Sequence, residues 1–326
     1  MKRLLAIGEA LIDFIPEETG KELKNVCGFR PAVGGAPANV CGAFVKLGGE
    51  ASMITQLGDD PFGDKITDEF KACGIGCDYV KKTKEANTSL AFVALKSDGN
   101  REFSFYRKPG ADMLMRPEDI EESWFQDAFA LHFCSVSLGE FPMKEAHRKA
   151  VECGLKNGLL ISFDPNLRLQ LWEDQESLRR AVKEFAPMAH VLKISDEELE
   201  FITGHSDVEK ALPGLLTGNT RMVIYTKGSE GAECYTRAGR GAASGRKVKA
   251  VDTTGAGDGF IGSFLYCLAE GGVTPDDISR VTGEQMEQYL SFANDFCGIS
   301  VTGHGAIASY PTMEEMRNRR KQVKAE

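Results

Sequence analysis

Short apolar runs separated by helical stripes organise most of this 326-residue chain. The runs at 4–12, 52–57, 131–137, 159–163, 191–194 and 222–226 have the length of buried strands. Between them, apolar residues recur at helical spacing. That spacing predicts one helix from Gly34-Gly35-Ala36-Pro37-Ala38-Asn39 to Gly48-Gly49 and another ending at Cys73. Further helices are predicted over 143–153, 176–185 and 197–203. The stretch 90–106 reads as a hairpin about Asp98-Gly99, a dipeptide whose preferred turn matches strand twist. Residues 247–251 alternate at period two and predict a strand, followed by a helix from Phe260 and a last one over about 284–301.

Strands alternating with helices imply crossover units and a mostly parallel sheet covered on both faces. Ligands of such sheets bind outside the carboxyl ends of the strands. Asp13, Asp164, Ser195, Thr226 and Asp252 all fall near such ends. The segments 15–35 and 88–112 break the alternation and read as a small β-lid. The core is then 1–14, 36–87 and 113–326.

Composition narrows the partners. Apolar content of 42% and charged content of 27% suit a soluble globular protein. A net charge of −9 argues against a nucleic-acid partner, whose backbone must be neutralised by Lys and Arg. The nine cysteines form no C-x-x-C pair, and Cys73 and Cys77 lack the further ligands of a zinc site. A reducing, cytoplasmic setting is expected. The first seven residues imitate a signal peptide, but Glu9 and Asp13 interrupt its apolar stretch. No apolar run approaches the roughly 18 residues that cross a membrane.

The strongest chemical signal is Asp252-Thr253-Thr254-Gly255-Ala256-Gly257-Asp258, ahead of the helix from Phe260. Unpaired amides of Gly255, Ala256 and Gly257 at a helix N-terminus suit an anion. A site that only bound phosphate would gain nothing from the Asp258 carboxylate. Amides that hold a phosphate beside a base for the attacking hydroxyl need both, which points to phosphoryl transfer to an alcohol. A plain helix cap remains the alternative. Other stretches carry paired readings too. Gly34-Gly35 through Asn39 is either a helix start or a close backbone approach to a ligand, and Asp13 either caps a turn or accepts hydroxyl hydrogen bonds. Asp164-Pro165-Asn166-Leu167-Arg168 is a strand-end loop that exposes Asn166 and Arg168 at the sheet edge. Ser195-Asp196-Glu197-Glu198 is a capping box, or it places hydrated magnesium through Glu198. Thr226-Lys227-Gly228-Ser229-Glu230-Gly231 is a hairpin turn or a phosphate holder; it is no P-loop. Gly303-His304-Gly305 onwards matches the dinucleotide fingerprint but follows a helix, which excludes that reading.

Together these residues resemble the ribokinase-like (PfkB-type) carbohydrate kinases. Two family signatures match, Gly34–Asn39 through Gly58 and Asp252–Asp258. Within the family, 8–14, 105–112, 164–172 and 193–198 look most like fructokinases. The resemblance implies a three-layer α/β/α sandwich with a mostly parallel central sheet and a small β-sheet lid. It implies ATP as donor, Mg²⁺ held through water by Glu198, Asp258 as base and Gly255, Ala256 and Gly257 as anion hole. Sugar contacts would be Asp13, Gly34, Gly35, Asn39, Arg107 and Arg168. Nucleotide contacts would be Lys193, Ser195, Thr226, Gly228, Gly231 and Asn294. A monovalent cation, K⁺, would lie among Asp252, Thr254, Ser300, Gly303, Gly305 and Ser309. Two departures stand out: Ser195 replaces a common asparagine, and Gly259 replaces a common alanine. D-fructose, phosphorylated at its primary hydroxyl, is the expected substrate. Ribose, aminoimidazole riboside or 2-keto-3-deoxygluconate are the alternatives, and a non-catalytic sugar sensor or a nicotinamide oxidoreductase are rivals of another class. Exposed lid strands suggest a homodimer.

Overall fold

The computed structural model of the chain describes residues 2–95 and 101–323. The first half carries strands β1 (Arg3–Ile7), β2 (Leu11–Pro16) and β3 (Phe29–Gly34), helix α1 (Ala36–Lys46), strand β4 (Ala51–Gly58) and helix α2 (Pro61–Cys73). Strands β5 (Val80–Thr83), β6 (Leu90–Leu95), β7 (Arg101–Tyr106) and β8 (Ala128–Cys134) follow. Next come α3 (Pro142–Lys156), β9 (Leu160–Asp164), α4 (Gln175–Phe185), β10 (Val191–Ser195), α5 (Asp196–Thr203) and α6 (Val208–Leu215). The chain closes with β11 (Met222–Thr226), β12 (Gly231–Thr236), β13 (Arg240–Ser244), α7 (Ala256–Glu270), α8 (Gly283–Ser300) and α9 (Met313–Val323).

Nine strands form the central sheet in the order β13-β12-β11-β10-β9-β8-β1-β4-β5. Its pairs are parallel except where β12 meets β11 and β13. The continuous apolar run of β1 follows from burial on both faces. Leu4 and Ala6 pack with Phe44, Phe264 and Phe296 on one side. Leu5 and Ile7 pack with Phe133, Phe163, Leu178 and Phe185 on the other. Helices α1, α7 and α8 cover the first face and α3 to α6 the second, which gives the expected three layers.

The predicted strand over 4–12 is two strands in two sheets. It breaks at Gly8, whose φ is +151°, and a Cβ there would lie 2.7 Å from Pro37 Cγ. Only glycine fits that bend. The chain then enters a four-stranded lid sheet, ordered β3-β2-β6-β7, at Leu11 rather than at residue 15. Phe14 stacks on Phe92 at 4.5 Å and meets Phe62 of α2 edge-on at 5.7 Å, which fastens one lid face to the core. The strands β6 and β7 pair antiparallel as the hairpin reading requires; its turn, with Asp98-Gly99, lies outside the described residues.

Residues 247–251 are no strand. Val251 and Asp252 instead donate to the Val301 carbonyl at 2.7 and 3.3 Å, so this extended segment lies against the end of α8. The run at 131–137 ends as a strand at Cys134. Neither β12 nor β13 shows in the hydrophobic pattern; α6 is not predicted although Val208, Ala211, Leu212 and Leu215 recur at helical spacing, because it is short and contains Pro213. Strand order reverses at β1, and there the carboxyl ends of β1, β8, β9, β10 and β11 gather along one edge.

Candidate active site

Helix α7 begins where the glycine turn predicts. Its cap position is Gly255, with φ +73°, and no side chain caps the helix. A Cβ on Gly255 would lie 2.5 Å from Ala306 Cβ, and its carbonyl accepts the Tyr310 hydroxyl at 2.7 Å. One of the three amides expected to be unpaired is not: the Ala256 N–H donates to the Thr253 carbonyl at 3.2 Å, because the turn closes on itself before the helix begins. Asp258 sits inside the helix and does not cap it, so the plain-cap alternative fails. Its Oδ2 accepts from Asn39 Nδ2 at 2.8 Å and its Oδ1 from Asn166 Nδ2 at 3.0 Å. Burial raises the Asp258 carboxyl above the ordinary aspartate value. The Asn39 bond, the positive charges of Arg168 and Lys193 and the Asn166 bond act the other way.

Asn166 was legible only as an exposed loop residue, and it belongs to the site. Its φ is +45°, the one positive value at a non-glycine residue among the described residues. Such backbone is sparsely populated, and asparagine tolerates it better than most side chains.

On the lid side, Asp13 stands in the middle of β2. Burial pushes its carboxyl up to about 6, against the positive charge of Arg168. A Cβ on Gly34 would lie 2.1 Å from Asp13 Oδ2, so only a glycine lets the carboxylate rest on that backbone. Gly35, with φ +121°, lies against the Glu9 carbonyl. Asn39 is buried, and its Oδ1 has no hydrogen-bond partner among the described residues. Arg168 is held at its Nη1 by the Leu167 carbonyl at 2.9 Å. Arg107 is drawn into a buried pair with Asp112, with Nη2 to Oδ2 at 2.6 Å.

Beyond α7 opens a cavity of about 460 Å³, lined by Lys193, Ser195, Thr226, Gly228, Gly231 and Asn294 and floored by Ala256 and Gly257. All six predicted nucleotide contacts therefore share one space. Lys193 donates to Asp164 Oδ2 at 2.8 Å. Burial alone would lower its ammonium, but the Asp164 and Glu198 carboxylates hold it above the usual lysine range. Its Nζ lies 3.3 Å from where a Gly257 Cβ would stand, which places a lasting positive charge beside the helix N-terminus. Ser195 and Glu198 form the predicted box in part: the Ser195 N–H donates to Glu198 Oε2 at 2.9 Å. The other oxygen, Oε1, accepts the Leu167 N–H at 2.8 Å, so this carboxylate is fixed beside the 164–168 loop. Asn294 donates to the Ala243 and Ser244 carbonyls at 3.0 and 3.1 Å and props β13 against α8. Gly231 has φ +107° and a Cβ there would meet the Ala243 carbonyl at 2.2 Å.

Behind the glycine turn a second group of predicted residues meets. Asp252 Oδ1 accepts from Thr254 N and Oγ1 at 2.9 and 2.6 Å, and Oδ2 from Gly305 N at 2.9 Å. Ser309 Oγ lies 3.0 Å from Ser300 Oγ and donates to the Gly305 carbonyl at 2.7 Å. A Cβ on Gly303 would lie 2.9 Å from Ser309 Cβ. Carboxylate, hydroxyl and carbonyl oxygens thus crowd one spot, a donor set that suits a hard cation.

A capless helix N-terminus, an oriented buried carboxylate and an adjoining cavity are the equipment of a phosphotransferase acting on small hydroxylated molecules. The chain belongs to the pfkB family of carbohydrate kinases, whose profile matches residues 1–313. Fructokinase-2 of Solanum lycopersicum is 39% identical over 313 residues, which is 96% of this chain and 94% of that protein. The fructokinase of Xylella fastidiosa with bound ATP superposes with a TM-score of 0.91 at 32% identity, covering 99% of both chains. The fructokinase of Vibrio cholerae O395 with fructose, ADP and calcium ion gives 0.84 at 30% identity, covering 98% of both.

Proposed function

We propose that this chain is an ATP-dependent kinase that transfers the γ-phosphate to the primary hydroxyl of D-fructose, giving fructose 6-phosphate. One observation carries the reading. Asp258, aimed by Asn39 and Asn166, lies in the first turn of α7, whose N-terminal residues Ala256 and Gly257 line the cavity and which no side chain caps. Asp258 takes the proton as the sugar oxygen attacks, and the Gly255–Gly257 turn with Lys193 steadies the phosphoryl charge. Phosphoryl transfer of this kind depends on placement and charge more than on covalent help. Asp13, Gly34, Gly35, Asn39 and Arg168 hold the sugar. Ser195, Thr226, Gly228, Gly231 and Asn294 line the nucleotide's place. Magnesium bound with the nucleotide neutralises phosphate charge, and Glu198 would hold it through water. Asp252, Thr254, Ser300, Gly303, Gly305 and Ser309 would hold a K⁺ that stiffens the turn from behind.

A coupled assay over a sugar panel tests the reading, with D-fructose expected to give the highest kcat/KM. Preference for ribose, aminoimidazole riboside or 2-keto-3-deoxygluconate would reassign the substrate, and lack of turnover on every sugar would leave a sugar-binding protein. A cytoplasmic setting agrees with free cysteines throughout the described residues. Pairing of two copies through the lid is part of the proposal, since β3 and β7 are open edges.

A further inference from the structure

The lid leaves and rejoins the core at four places, and all four meet in one buried cluster that the proposed transfer does not use. Arg107, just after β7, donates from Nε and Nη2 to Asp112 Oδ2 at 2.8 and 2.6 Å. The same Nη2 reaches Ser137 Oγ, beyond the end of β8, at 3.3 Å. Ser137 Oγ donates to Glu9 Oε2 at 3.3 Å, and Glu9, between β1 and β2, accepts the Ala36 N–H on Oε1 at 3.2 Å. Asp112 Oδ1 accepts the hydroxyl of Ser89, where the chain enters β6. Both legs into the lid (Glu9, Ser89) and both legs out (Ala36, Arg107) are thereby joined to each other and to the core. Space is fully used: a Cβ on Gly110 would lie 1.8 Å from Ser89 Oγ and 2.9 Å from Arg107 Cγ.

We infer that Arg107 is a positioning residue for the transfer: it clasps the lid crossings so that β2 brings Asp13, and the β3–α1 bend brings Gly34 to Asn39, to fixed places on the sugar. The inference rests on the kinase reading above and departs from it at Arg107, which acts through the scaffold and not by touching the sugar. Arginine suits the task because its planar fork bonds several acceptors at set angles. Loosening the clasp affects the sugar side, since Asp13 hangs from the lid while the nucleotide cavity is built wholly from the core.

Arg107→Met, Asp112→Asn and the double variant of the full chain test this by steady-state kinetics with D-fructose and ATP. Each single change should raise the KM for fructose by about tenfold or more, since small misplacements cost that much, while the KM for ATP stays within about twofold. The double variant should be no worse than the worse single one, because both changes break one unit. A normal fructose KM in folded Arg107→Met overturns the inference. So does a matching rise in the ATP KM, or a double variant in which the two effects multiply, which would mark Arg107 as a direct sugar contact. If Arg107→Met does not fold, Ser137→Ala removes a single hydroxyl from the clasp. It should raise the fructose KM by about threefold on the scale of one lost hydrogen bond, and an unchanged value there overturns the inference equally. Wild-type turnover on fructose, read in the same assay, tests the kinase proposal separately.

Discussion

Asp258 accepts one hydrogen bond from each of two asparagines, Asn39 of α1 and Asn166 of the loop after β9. They fix its direction, while burial keeps it a better base than a solvated aspartate. Asp258→Asn is expected to keep sugar affinity and lose at least about a hundredfold in kcat, the lower end of what a positioned base contributes. Near-normal turnover would remove Asp258 from the mechanism. Glu9 supplies a test of a different kind. Burial raises its carboxyl from 4.5 to about 7, with the Arg107 charge pulling down and Asp112 pushing up. The folded protein therefore holds this proton more tightly than the unfolded chain. The associated stability is complete below about pH 4.5 and drains away as pH rises towards about 7. At about 1.4 kcal/mol per pKa unit, the change amounts to roughly 3 kcal/mol. Glu9→Gln should flatten urea-unfolding stability over that window by a comparable amount; an unaltered pH slope would mean Glu9 does not titrate as its burial demands.

At the scale of elements, the turn into α7 depends on backbone that only glycine adopts without strain. Gly255→Ala puts a methyl 2.5 Å from Ala306 Cβ at φ +73°. Displaced amides should lower kcat by about a hundredfold, as removal of one such donor does elsewhere. Gly239→Ala, where an added Cβ meets nothing within 4 Å, serves as the control and should be silent. The sequence displayed these elements unevenly. Strands such as β1 were readable because burial on both faces forces an unbroken apolar run. Strands β12 and β13 were not, since GAECYT and RGAAS carry few large apolar residues and owe their place to pairing. The false strand at 247–251 alternates because Val248 and Ala250 line the cavity. Among site residues, Asp258 and the glycines announced themselves by local motif. The partners that orient Asp258 lie 219 and 92 residues away in the chain, and no local pattern encodes that meeting. Arg107 has a motif that invites a ligand, but the fold gives it Asp112.

For the whole molecule, the lid and core must act together, because Asp13 comes from one and Asp258 from the other. Water should be a poor acceptor until sugar completes the cleft. ATP hydrolysis without sugar should therefore run at least about a hundredfold below the rate with fructose, a gap on the order that orientation supplies. A phosphate-release assay measures it, and comparable rates would contradict closure. Replacing K⁺ by a bulky ammonium should lower kcat by about tenfold if the oxygens around Asp252 hold a cation that supports the amides; activity indifferent to the ion would empty that site of purpose.

The Tyr310 hydroxyl grips the first residue of the glycine turn from a stretch of chain that follows every strand and nearly every helix. Removing that hydroxyl alone, in Tyr310→Phe, would delete none of the groups proposed to touch sugar, nucleotide or cation, yet it would strip the turn of its rear support. Such a variant is expected to act on the chemistry and not on the fold: circular dichroism close to native, and a clear loss of product formation.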